Sequence, residues 1–255
     1  MNQKGVEKLG DKWLYLTMFV VAFALSSFLL PAILAKIVAS IFNSATPGAY
    51  QLFYDDIRNN DMIDYASTTI DIMTIAQFAA SAIVAVLIIV FLWRMLARDF
   101  KDFKKDLGYN ILSIFLWFVV LFVLSTAVAI IFDMAGLKDT AENEVTVQRM
   151  LNSRFGFLMI ISVLILAPFV EEMIYRKFLI GFFEKTLHIP LVISTVLAAV
   201  IFGLAHDTTI YVFQYLPLAL AISMSYAYSK RNVWVSIGVH FLNNTLALIL
   251  TFAGI

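Results

Sequence analysis

The chain has 255 residues, of which 62 % are hydrophobic and only 14 % charged, and its 18 basic and 18 acidic side chains cancel to a formal net charge of zero. This composition lies far from that of a soluble globular domain, and the neutral balance argues against nucleic acid or a polybasic surface anchor. There is no cysteine, which excludes disulfides, thiolate metal sites, a thiol nucleophile and S-palmitoylation, so any chemistry must use oxygen and imidazole groups.

The predicted elements are membrane spans. A hydrocarbon layer of about 30 Å needs roughly 20 apolar residues in helix, with the backbone hydrogen bonds satisfied inside the helix. In chain order the qualifying segments are 13–36, with Pro31 as a kink, then 72–96, 111–133, 155–178, 189–206, 209–228 and 232–254. The first follows the short polar stretch MNQKGVEKLGDK and exceeds the length of a signal-peptide core, so it reads as a retained span. No internal repeat or long linker divides the chain. The expectation is an all-α, polytopic membrane helical bundle of about seven spans, six to eight in range, forming one transmembrane domain over 1–255 with the lipid bilayer as its surroundings.

Orientation follows from the positive charges of the short loops. One side carries Lys4, Lys8 and Lys12, then Arg94, Arg98, Lys101, Lys104 and Lys105, then Arg176, Lys177 and Lys185, and finally Lys230 and Arg231. The alternate loops, 44–69 and 136–154, are acidic or mixed. The N-terminus is therefore expected in the cytoplasm and the C-terminus outside.

Against this apolar background Glu171, Glu172, Arg176, His206, Asp207, His240, Asn243 and Asn244 stand out. A charged side chain at mid-membrane costs about 2.5–3.5 kcal/mol, so two carboxylates and an arginine cost on the order of 8–10 before they find partners. Glu172 and Arg176 stand at i and i+4 with the carboxylate N-terminal, the favourable orientation for a helical ion pair. Glu171 is rotated about 100° from Glu172 and faces a different neighbour, which leaves it free for chemistry. His240 and Asn244 share one face of the last span at i and i+4; taken alone, such a pair is more often a polar clamp between helices. A lone His206 at a helix end is more often an interface residue. Depth changes that reading: if the chain turns at LHIP, Glu171 and His206 each lie about 17 residues from the turn on antiparallel helices, and so come out level. His240 is level as well if YRKFLIGFFEKTLH projects about 10 Å into the cytoplasm.

Two chemistries suit this set. Glu171 can take and return a proton from a water that His206 orients, while His240 or the Asn244 amide stabilises an oxyanion. Alternatively Glu171, His206 and His240 can hold zinc with water as the fourth ligand. The soluble signature H-E-x-x-H is absent.

Three ordered motifs carry a resemblance: EEMIYR at 171–176, FGLAH at 202–206 and HFLNN at 240–244. Together they resemble the CPBP family, the CAAX prenyl proteases and bacteriocin-processing enzymes also called the Abi family, over a core of about 155–250. The resemblance implies an intramembrane endopeptidase, glutamate-type or metallo, with a cavity open to the cytoplasm and a prenylated or otherwise hydrophobic peptide as substrate. It implies Glu171 and His206 as activators of the water, His240 and Asn244 as an oxyanion or metal site, and Glu172, Arg176 and Phe202 as structural support. The compact chain looks like a bacterial, multi-pass plasma-membrane member. The rival readings are a non-catalytic scaffold or bacteriocin-immunity protein, and a transporter with Glu171, His206 and Asp207 as a proton path, which the lack of paired broken helices weakens.

Overall fold

The structure is a computed structural model, which describes residues 9–59, 64–137 and 141–254, with the side chains of 9–12 and 142 left aside. Lys4 and Lys8, and parts of both acidic or mixed loops, lie outside the described residues. The chain is an all-α, multi-pass membrane protein. Among the described residues five helices are long and apolar enough to span a bilayer: Trp13–Ala45, Ser67–Lys105, Leu107–Met134, Gly156–Thr186 and Val233–Ala253. The other two predicted segments are helical but shorter, Leu191–His206 with 16 residues and Val212–Tyr228 with 17.

The first span consists of α1 (Leu9–Ala24), a widened π-helical stretch Leu25–Leu29, and α2 (Leu30–Ala45). The expected irregularity is there: Pro31 lacks the N–H that would bond to the carbonyl four residues back, and the wide turn directly precedes it. After α3 (Ala49–Asn59) come α4 (Ser67–Lys105), α5 (Leu107–Met134) and α6 (Glu142–Leu151). The next long helix is interrupted repeatedly. It runs through α7 (Gly156–Ile161), a π stretch Ser162–Leu166 just before Pro168, α8 (Ala167–Glu171), and two more π stretches, Glu172–Leu179 and Phe182–Thr186. Then follow α9 (Leu191–His206), which starts behind Pro190, α10 (Val212–Tyr228) and α11 (Val233–Ala253), capped by the Asn232 side chain on the Trp234 N–H and closed by Gly254 in the left-handed region.

The helices cluster into two compact units. The unit of Phe23–Trp93 and Asp139–Val170 has a core of Ala35, Ala39, Phe53, Ile72 and Ala76. Its helix ends are tied by Asp56, which accepts from the Ala66 N–H and the Thr69 hydroxyl, and by Asp71, which accepts from the Arg154 N–H at 3.0 Å.

The other unit comprises Met1–Ala22, Arg94–Lys138 and Glu171–Ile255. Its core is Leu121 of α5, Ala221 and Ile222 of α10 and Val239 of α11. At one end the turn joining α10 to α11 carries two consecutive residues in the left-handed region, Lys230 (φ 55°) and Arg231 (φ 59°), each costing on the order of 1 kcal/mol. Polar contacts hold it there. Lys230 pairs with Asp106 at 2.8 Å, Arg231 pairs with Glu184, Asn232 donates to the Asp99 carbonyl, and Lys177 pairs with Asp99 and donates to the Arg231 carbonyl. The Lys230 hydrogen bond holds the Asp106 carboxyl below the usual carboxylate range, so this contact is fully present above that range and is lost on acidification through the lowered pKa.

In the same unit α1 packs on the last π stretches: the Lys185 ammonium donates to the Tyr15 hydroxyl at 2.7 Å, and a Cβ on Gly181 would stand 2.7 Å from the Tyr15 ring. Gly181→Ala is therefore expected to destabilise the protein by about 1–3 kcal/mol in detergent unfolding, and most of that loss should vanish in a Tyr15→Ala background. Additive effects of the two substitutions would show that the ring is not the obstacle.

Candidate active site

The site is assembled from Glu171, the last residue of α8, with the π stretch after it, α9 and α11, all within one unit. Glu171 ends α8 and Glu172 begins the wide π turn. The chain reverses at Leu187–Pro190, as the LHIP turn requires, and α9 returns to end on His206. Levelled by that antiparallel course, Glu171 Oε2 lies 4.0 Å from His206 Nε2, and it lies 3.9 Å from His240 Nε2 on α11.

Both imidazoles are anchored through the opposite nitrogen. His206 Nδ1 sits 2.8 Å from the Phe202 carbonyl, and His240 Nδ1 sits 2.9 Å from Glu172 Oε1. A carbonyl oxygen accepts, and so does a carboxylate paired with an arginine, so each Nδ1 carries a hydrogen and each Nε2 faces Glu171. A water donating one hydrogen to Glu171 and the other to His206 Nε2 would span the 4.0 Å gap between them. Glu171 is the open member, its side chain 26 % exposed, whereas Glu172 and Arg176 are fully buried.

The expected pair of Glu172 and Arg176 is present, with Arg176 Nε 3.1 Å from Glu172 Oε2 as an ion pair rather than an aligned hydrogen bond. Arg176 also donates through Nη2 to the Ala219 carbonyl of α10 at 3.4 Å, and its guanidinium lies 4.9 Å from the centre of the Phe202 ring. Phe202 is itself fully buried, packed edge-on against Tyr175 and stacked on His206 at 4.2 Å.

Two features go beyond the spacing argument. Glu172 does more than pair with Arg176, because it is also the hydrogen-bond acceptor behind His240. α10, which carries none of the three motifs, contributes Tyr215, whose ring centre lies 5.0 Å from that of His206. No periodicity within one helix could have revealed either contact. Asn244 lies one turn beyond His240, half-buried, and accepts from the Asn243 side chain at 3.2 Å. Asp207 folds back locally, accepting from the Thr209 N–H and hydroxyl in a tight turn into α10.

As a metal site the donors fit in kind, since each histidine is backed by a carbonyl or carboxylate as zinc-binding histidines usually are. They do not fit in spacing. Ligands around tetrahedral zinc stand about 3.3–3.4 Å apart, and 3.9 and 4.0 Å exceed this. Among the described residues no group of three or more His, Asp or Glu has metal-binding geometry.

Residues 153–246 match the family model described as "Type II CAAX prenyl endopeptidase Rce1-like". The chain is 28 % identical over 179 residues to a Bacillus subtilis (strain 168) protein named "Putative membrane peptidase YdiL", a match covering 69 % of this chain and 70 % of the relative. No solved structure matches significantly.

Proposed function

We propose that this chain, whose residues 153–246 match the Rce1-like type II CAAX prenyl endopeptidase family model, is a CPBP-family intramembrane protease in which Glu171 is the general base of a glutamate-type endopeptidase acting on a prenylated or strongly apolar peptide. The observation that carries this reading is the partly open Glu171 carboxylate facing two imidazole Nε2 atoms, each ring locked through Nδ1. A water in the gap gives one proton to Glu171 while its remaining O–H donates a hydrogen bond to His206 Nε2, and the oxygen attacks the scissile carbonyl carbon. When His240 carries a second proton, its Nε2–H and the Asn244 amide donate to the oxyanion, with Glu172 behind the ring holding its orientation. The C–N bond then breaks, and Glu171 returns the proton to the leaving amine.

No step is routed through a metal, because the donor spacing does not suit one. The chain is read as a multi-pass plasma-membrane protein with its N-terminus in the cytoplasm and the site open to that side, on the strength of its lysine and arginine distribution.

The test is cleavage of a farnesylated CAAX-type peptide and of an unmodified hydrophobic peptide by purified protein in detergent, with and without a chelator. Wild type is expected to cleave at least one, and folded His206→Ala to lose about 10²–10⁴-fold in kcat. Chelator sensitivity reversed by added zinc would replace the metal-free mechanism. A folded wild type that cleaves neither peptide would leave a non-catalytic scaffold.

A further inference from the structure

We propose that Tyr215 of α10 is a positioning residue for His206, clamping the imidazole with Phe202 so that Nε2 stays on the Glu171 side. The catalytic consequence rests on the function proposed above; the clamp itself does not.

His206 is the last residue of α9, and the backbone turns to an extended conformation at Asp207. A side chain at such a helix end has no following turn to confine it. Its Nδ1 bond to the Phe202 carbonyl orients one edge of the ring, and Phe202 of its own helix covers a face at 4.2 Å with the planes 24° apart. Tyr215 supplies the contact from a second helix, at 5.0 Å and 38°. Ring contacts at these distances favour the rotamer that makes them.

The chain delivers Tyr215 there for a local reason. The Asp207–Thr209 turn brings the chain round within a few residues, α10 starts at Val212, and Gly203 leaves room for it: a Cβ there would stand 3.2 Å from Val212 and 3.3 Å from Leu216. One turn beyond Tyr215, Ala219 accepts from Arg176. The same stretch of α10 thus braces both His206 and the arginine that supports Glu172, although it carries no ionisable residue of the site.

The sequence holds only three histidines, His188, His206 and His240, so ring-labelled histidine gives a readout independent of activity. The proteins to compare are wild type, Tyr215→Leu, the milder Tyr215→Met, and Tyr215→Phe, in detergent, with His206→Ala assigning the signal. The His206 ring resonances are expected to move in Tyr215→Leu and Tyr215→Met while His188 stays put, and Tyr215→Phe should keep them near the wild-type positions. On the farnesylated CAAX-type peptide, kcat is expected to fall about 10–100-fold in the Leu and Met variants with KM within about threefold, and Phe should restore most of it. Unmoved His206 signals in a folded Leu or Met variant would overturn the clamp, and so would a change confined to KM, which would make Tyr215 a substrate contact. A folded wild type that cleaves neither peptide would fail the peptidase reading, and the resonances would still decide the role of Tyr215.

Discussion

Glu171→Gln is expected to abolish peptide cleavage, lowering kcat by about 10³-fold or more while the protein remains folded. General-base catalysis alone accounts for about 10²–10⁴. The amide preserves the shape of the side chain but cannot accept the water's proton or return it to the leaving amine. Stability should change little, because Glu171 is partly exposed and is not part of the buried ion pair. Single-turnover assays on the farnesylated peptide, with circular dichroism as the folding control, check this. Wild-type kcat in Glu171→Gln would transfer the base to a histidine.

Arg176→Met is the substitution expected to damage the fold most. Glu172 and Arg176 are both fully buried, and removing the arginine leaves a buried carboxylate beside the His240 ring without its cationic partner. Breaking one half of such a pair costs about 3–5 kcal/mol. The loss should appear as an earlier transition in a denaturing-detergent titration. Replacing both partners, Glu172→Leu with Arg176→Met, removes the stranded charge and should recover much of the stability. It should not recover activity, because His240 then lacks the acceptor that points its Nε2 at Glu171. A double variant as unstable as Arg176→Met alone would mean that lost packing, rather than the stranded carboxylate, sets the cost.

The interrupted geometry of the helix that carries the glutamates bears on both results. A regular α-helix sets adjacent residues about 100° apart, which would turn Glu171 and Glu172 towards different neighbours. Here the π stretch begins at Glu172, and both carboxylates reach His240, one near each ring nitrogen. Wide turns of this kind occur often at functional sites.

Much of this architecture is legible in the amino-acid sequence alone. Apolar runs long enough to cross a bilayer mark the helices, because a backbone in lipid has few other ways to satisfy its hydrogen bonds. The Glu172–Arg176 pair follows from the pitch of a single helix, and the meeting of Glu171 with His206 from counting residues back to one turn. What only the tertiary structure decided is how side chains on different helices face one another: Glu172 behind His240, Tyr215 against His206, and the ring nitrogen that each histidine presents to the gap. Rotation of each helix about its axis and the widened turns set those contacts, and neither leaves a period in the sequence. A helix reports its own spacing, whereas its neighbours depend on how all the helices pack together.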